Sequence, residues 1–194
     1  MSFSDNVNLE VIEKTKLLGI IINTKLKWND NTDYICDKAR KKLWLIRNMK
    51  ISGLTQGQLI DAYTKEVRSL LELAVPVWNS NITLDQSVQI ERLQKSALSI
   101  ILGFKYQSYE NALEITGLKR LSYRREQICS KFISKNMKSD KPLLSVTKKS
   151  HDTRSNPNLA NEIQCRTQAF YNSSLPYLAR LYNRRVLNIK SGGK

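Results

Sequence analysis

The sequence predicts a mainly α fold: an N-terminal β-hairpin, then a three-helix bundle, then a basic helical C-terminal extension. Three observations predict it. β-branched apolar runs are confined to the first two dozen residues, as VNLEVI over 7–12 and KLLGIII over 16–22. Beyond them, apolar residues recur at three- and four-residue spacing, the signature of helices with one buried face. Cap residues and glycines punctuate those periodic stretches. With 194 residues, of which 41% are hydrophobic, the chain is long enough to bury about two-thirds of its unfolded surface around one core. Seven Gly and four Pro are too few for a low-complexity tail.

Taken in order, the runs at 7–12 and 16–22 read as two strands turned at Glu13-Lys14-Thr15. After Trp28, Asn29 or Asp30 can cap a helix carrying Ile35, Ala39, Leu43, Ile46 and Met49 on one face. Its aspartates lie early and its lysines late, which complements the helix dipole and explains part of its basic charge structurally. Ser52-Gly53 ends it, and Thr55 caps a second helix with Leu59, Tyr63, Val67, Leu70 and Ala74 as its stripe, stopped by Pro76. A third starts at a Thr83/Gln86 capping box, bears Ile90, Leu93, Ala97, Ile100, Ile101 and Phe104, and stops at Gly103. Residues 108–116 form a short helix closed by Gly117, and 122–138 another. From 139 to 164 periodicity fails and a basic, loosely ordered linker is expected; Pro176 opens a last helix reaching about Asn183, and 191–194 fray. The resulting units are 1–27, 28–104, 105–138 and 139–194.

The net charge of +15 is localised. Residues 27–50 carry a net +4, 119–154 carry +8 and 155–194 carry +5, against a near-neutral middle. That asymmetry points to a polyanionic partner. Nucleic acid fits better than an anionic membrane, because the basic stretches lack an interfacial apolar face. The longest near-apolar run, Leu17–Ile22, is too short to span a bilayer or form a signal core, so an intracellular protein with no membrane partner is expected.

Much chemistry is excluded. Cys36, Cys129 and Cys165 are widely spaced, and the single His151 has no neighbours for a four-ligand metal set. There is no phosphate-binding glycine loop, and no two acidic residues are adjacent. Two-metal nucleotidyl transfer needs converging carboxylates, whereas Glu91 pairs naturally with Lys95 four residues on. The residues alone describe a binding or scaffolding module with no cofactor.

Particular strings say more. Lys16-Leu17-Leu18-Gly19-Ile20, Asn23-Thr24-Lys25-Leu26-Lys27-Trp28 and the helix from Ile35 to Leu43 resemble the stretch after the catalytic palm in reverse transcriptases of jockey-like non-LTR (LINE-type) retrotransposons. Glu72-Leu73-Ala74-Val75-Pro76-Val77-Trp78 is similar to that family's E-Y-A-x-P-V-W. Ile90 to Gly103 resembles its L-E-R-V-Q segment ending in I-I-L-G. Tyr109-Glu110-Asn111-Ala112-Leu113, Leu118 and Arg124-Arg125-Glu126 follow its Y-x-x-A-L and R-R-E pattern. Cys165-Arg166-Thr167, Tyr171-Asn172-Ser173, Pro176 and Arg180-Leu181-Tyr182-Asn183 follow its C-R-T, N-S, P and R-L-W-N series.

The series runs from about Lys16 to Asn183, and it implies a fragment: the thumb and post-thumb region of an RNA-directed DNA polymerase. Residues 1–27 would be a remnant palm and primer-grip hairpin, and 28–104 the thumb. The metal-binding aspartates, and with them Mg2+, would belong to the complete polymerase, so this chain alone is expected to be inactive. The implied partners are template–primer RNA and DNA and an upstream palm and fingers polypeptide of the same element. Gly19 would let the primer-grip backbone approach nucleic acid, or merely relieve hairpin packing. Lys38, Lys41 and Lys42 would meet phosphates, or be solvated charges. Arg124, Lys131, Lys135 and Lys138 form the clearest one-sided basic stripe. Arg166, Arg180 and Arg184, interleaved with Tyr171 and Tyr182 and followed by Arg185, suit either single-stranded RNA or a docking helix. Trp28, Trp44 and Trp78 read as core anchors before stacking platforms. Two other roles compete with a polymerase fragment: a helical protein-interaction module or decayed element, and a weaker helix-turn-helix DNA reader over 30–75.

Overall fold

The computed structural model of the chain describes residues 12–146, 159–161 and 163–191. The strand expected over 7–12 lies outside them but for Ile12, as do His151, half of the 139–164 linker and residues 192–194 of the tail. The architecture is mainly helical, with one two-stranded antiparallel sheet at the front.

The hairpin differs from the one read in the sequence. Its strands are β1 (Lys14–Leu17) and β2 (Ile20–Asn23), paired from Lys14↔Asn23 to Leu17↔Ile20. Lys14 and Thr15 of the expected turn are strand, and the expected strand 16–22 is broken by Leu18-Gly19. The reason is backbone conformation: Leu18 (φ 47°) and Gly19 (φ 89°) both take the positive φ that a two-residue I′ hairpin turn requires. Leucine there disguised the turn as an apolar strand.

Helix α1 (Asn29–Ile51) starts behind Trp28 with no side-chain cap. Asn31 and Asp30, rather than capping, tie the helix to β2: Asn31 Oδ1 accepts from the Ile21 amide (3.1 Å), and Asp30 accepts from the Asn23 side chain (2.9 Å). Thr55 and Gln58 form a capping box for α2 (Gln56–Ala62), which runs through a π-helical stretch (Tyr63–Arg68) into α3 (Ser69–Leu71). The buried residues are Leu59, Tyr63, Val67 and Leu71, not Leu70 and Ala74. A strict four-residue stripe over-rotates by about 40° per step on an α-helix. The wider π turn takes part of that drift back and keeps the stripe on α1.

Ala74, at φ 50°, ends that helix and turns the chain into α4 (Val75–Trp78), whose fully buried Trp78 donates its Nε1–H to the Leu73 carbonyl (2.7 Å). The Thr83/Gln86 capping box opens α5 (Leu84–Leu102) as expected. Its stripe is Ile90, Leu93, Ala97 and Ile101, whereas Phe104, beyond the Gly103 stop, is fully exposed. At that stop, Lys50 at the end of α1 donates to the Ile100 carbonyl. Helices α1 and α5 make the most extensive contact of the fold. With α2–α3 they complete the three-helix bundle.

Helices α6 (Tyr109–Thr116) and α7 (Leu121–Asn136) follow, then α8 (Gln168–Tyr171) and α9 (Ser174–Ser191). The last helix is longer than its sequence periodicity suggested and packs on α7 and α4. Leu144 is buried, Val146 bridges Ala160, and the Asn183 side chain clamps both backbone groups of Ala160 (2.8 and 3.0 Å). One core runs from Ile20 to Leu181, with a satellite at Leu98, Leu102, Tyr109 and Ala112.

Candidate nucleic-acid interface

Helix α7 bears the clearest basic face, and its seating explains that face. Leu121, Arg125, Cys129 and Ile133, four residues apart, are all buried. Lys131, Lys135 and Lys138 are left exposed, and their side chains have no ion pair, hydrogen bond or ring contact among the described residues. No side chain of α7 caps its start. Glu91 of α5 does so instead, accepting from the amides of Leu121 (3.0 Å) and Ser122 (3.2 Å) and from the Tyr109 hydroxyl. The expected Glu91–Lys95 pair does not form; Lys95 lies over the Tyr109 ring, 5.0 Å from its centre. Behind Glu91, the fully buried Gln94 accepts from Tyr63 (2.7 Å) and donates to Tyr109 (2.9 Å) and the Lys119 carbonyl (3.0 Å). Burial pushes both tyrosine hydroxyls well above their ordinary pKa, so they stay protonated donors.

The Arg124-Arg125-Glu126 string is structural at each position. Arg124, read as the first member of the stripe, is committed inward: Nε and Nη2 (2.9 Å) engage both oxygens of Glu72, which also faces Arg68 at 3.8 Å. That bidentate pairing raises the Arg124 pKa. Arg125 is only 2% exposed and donates to Asn79 (2.9 Å) and Ser87 (2.6 Å), leaving Nη1 without a partner among the described residues. Glu126 faces Arg184 of α9 at 3.8 Å.

The C-terminal cations divide similarly. Arg166 is exposed and unpaired among the described residues. Arg180 folds back on Tyr171, its guanidinium 3.7 Å from the ring centre and Nη2 donating to the Tyr171 carbonyl (2.8 Å). Arg184 is exposed, and Arg185 reaches Ser134 (2.9 Å) and Ser130 (3.3 Å) on α7. A groove of about 430 Å³ runs between α7 and α9, walled by Tyr123, Gln127, Arg184 and Arg185. Helix α9 packs on α7, which brings Arg184 and Arg185 beside it.

Lys38 of α1 and Lys16 of β1 lie over the Tyr34 ring, 4.7 and 5.1 Å from its centre, and the two ammonium groups lower the Tyr34 hydroxyl pKa. Lys42 pairs with Glu66 of the π stretch (2.8 Å), while Lys41 is exposed and unpaired among the described residues. Gly19 has a packing explanation: a Cβ there would sit 3.0 Å from Leu73. The predicted residues are therefore not one cluster; Lys131, Lys135 and Lys138 form the coherent group.

Sequence reasoning missed a second convergence. Arg40, Arg47 and Arg92 line a groove of about 400 Å³ between α1 and α5. Trp28 and Trp78 are buried as expected, but Trp44 is 65% exposed. The signal was available, since Trp44 falls off the Ile35–Ala39–Leu43–Ile46 stripe.

Among the described residues no three His, Cys, Asp or Glu side chains lie close enough to hold a metal ion, and no helix is long and apolar enough to cross a membrane. The three cysteines are free, and burial pushes the Cys36 and Cys129 thiols up to about 11. No protein-family model, curated protein or solved structure matches the chain.

Proposed function

We propose that this chain is the thumb-region fragment of a non-LTR retrotransposon reverse transcriptase, which binds template–primer RNA and DNA through basic helix faces inside the cell. Catalytic carboxylates and Mg2+ would come with an upstream palm and fingers polypeptide of the same element. The observation that carries the reading is the row of Lys131, Lys135 and Lys138, exposed and unpaired on one face of a firmly seated helix in a chain of net charge +15. Phosphate contacts of this kind supply sequence-independent affinity and position a duplex without reading its bases.

The geometry of the resembling strings lends support. Glu72 of one string holds Arg124 of another. Trp78 locks the turn that presents Glu72, and Asn183 of the last string clamps Ala160. Against this stands the protein-interaction reading, favoured by the internal commitment of Arg124 and Arg180, whose charges belong to the fold.

Charge reversal separates the two. In K131E/K135E/K138E, affinity for a primed RNA template is expected to fall, and the slope of log affinity against log salt to flatten by about 3. An unchanged melting temperature confirms that the fold is retained. Unaltered affinity and slope would overturn the lysine reading and favour the protein-interaction role. Incubated alone with Mg2+, primed template and nucleotides, the chain is expected to extend nothing; clear extension would overturn the fragment reading.

A further inference from the structure

Among the described residues four tyrosine rings are covered by the protein's own cations: Tyr34 by Lys16 and Lys38, Tyr109 by Lys95 and Arg120, Tyr123 by Lys119 and Tyr171 by Arg180. Trp44 is the contrast. It is 65% exposed on α1, yet among the described residues no cation lies over its ring. Cations are nevertheless at hand. Arg40 precedes it by four residues, Lys41 by three, and Arg47 follows by three, spacings that place all of them beside it on the helix surface. Arg40 and Arg47 also form one wall of the α1–α5 groove, with Arg92 on the other and Gln89 and Ser96 as its polar lining. Two carboxylates stand at this edge: Asp37, paired with Arg40, and Asp33, which accepts from the Gln89 side chain (3.2 Å). Lys41, Arg47 and Arg92 have no partner among the described residues.

A large uncovered aromatic face beside a groove walled by arginines is what an unpaired nucleotide requires. The base stacks on the ring, and the flanking phosphates take the planar guanidinium donors. A duplex has no base face to offer, because its bases are already stacked on one another. An acidic peptide would satisfy the arginines but would leave the indole unused.

We propose that the α1–α5 flank is a single-strand site, in which Trp44 stacks an unpaired base of RNA or DNA while Arg40, Arg47 and Arg92 hold the adjoining phosphates. It rests on the preceding reading only for the class of its ligand, because it uses a different face from the α7 lysines.

The test uses the full chain, an oligouridylate of about twelve nucleotides and a blunt RNA duplex. The oligouridylate is expected to quench the exposed indole. W44A is expected to abolish the quench and weaken oligouridylate binding roughly 5- to 150-fold. W44F should recover part of that affinity, and R47E/R92E should also weaken it. Duplex binding and the melting temperature should stay at wild-type values in the Trp44 variants. Wild-type oligouridylate affinity in W44A, or equal losses for duplex and single strand, overturns the site. If W44A is silent while K131E/K135E/K138E loses the duplex, this site fails and the lysine reading stands. If the lysine reversal is silent while W44A loses the oligouridylate, the reverse holds. A wild-type chain that binds neither probe sinks both.

Discussion

At the scale of single residues, one carboxylate holds much of the molecule's middle together. Glu72 receives both arms of Arg124 and faces Arg68, bringing α3 and α7 to the same point. Its side chain is 14% exposed, so these bonds are largely shielded from water and salt. Glu72→Gln is expected to cost about 1.5–3 kcal/mol in urea unfolding, the range for hydrogen bonds to charged groups. A double-mutant cycle with Arg124→Gln should return most of that as coupling; additive losses would mean that the pair contributes little. The same residues show what a sequence can and cannot say about charge. The basic row of α7 was legible from helical spacing, but Arg124 shares that row and differs only in having Glu72 opposite, 52 positions earlier. Trp44 was legible too, because a helical wheel places it beside the apolar stripe instead of within it.

At the scale of elements, the boundaries that matched expectation are those written in local chemistry. The Thr83/Gln86 box and the Gly103 and Gly117 stops act on neighbours within one turn. The features that escaped depend on conformations the residue type disfavours, as with Leu18 at positive φ, or on accumulated rotation, as in the π stretch. The end of α5 joins both kinds. Gly103 has φ +57°, and a Cβ there would stand 2.7 Å from Lys50 Nζ, the cation that satisfies the helix's Ile100 carbonyl. Gly103→Ala is expected to cost about 1–3 kcal/mol through backbone strain, and more through the displaced lysine. Combining it with Lys50→Ala should cost less than the sum of the two single changes in thermal melts, because the second change removes the group the first collides with.

At the scale of the whole molecule, the fold is a bundle against which a basic helix pair is packed, with α7 on α4 and α5 and α9 on α7 and α4. The sequence displayed Glu91 beside a lysine four residues away, the local solution, and nothing nearby in the chain disclosed that Leu121 and Ser122 compete for it from 30 and 31 positions on. Nor did it disclose that α9 would come to rest on α7 and carry Arg184 and Arg185 with it. The contact through Glu91 has a consequence in time as well as in space. First-turn amides of a helix ordinarily exchange their hydrogens with water almost freely, since no carbonyl of their own helix restrains them. Here the amide hydrogens of Leu121 and Ser122 are held by a carboxylate of another helix, itself tied through Tyr109 and Gln94 to the core. In deuterium-exchange measurements these two amides are expected to outlast those at the far end of α7. Glu91→Ala should turn them into the fastest of the helix while leaving the slow amides of α1 and α5 in place. The start of helix α7 is thus held by a carboxylate from elsewhere in the chain, so the exchange of its first turn reports the seating of α5 as much as its own.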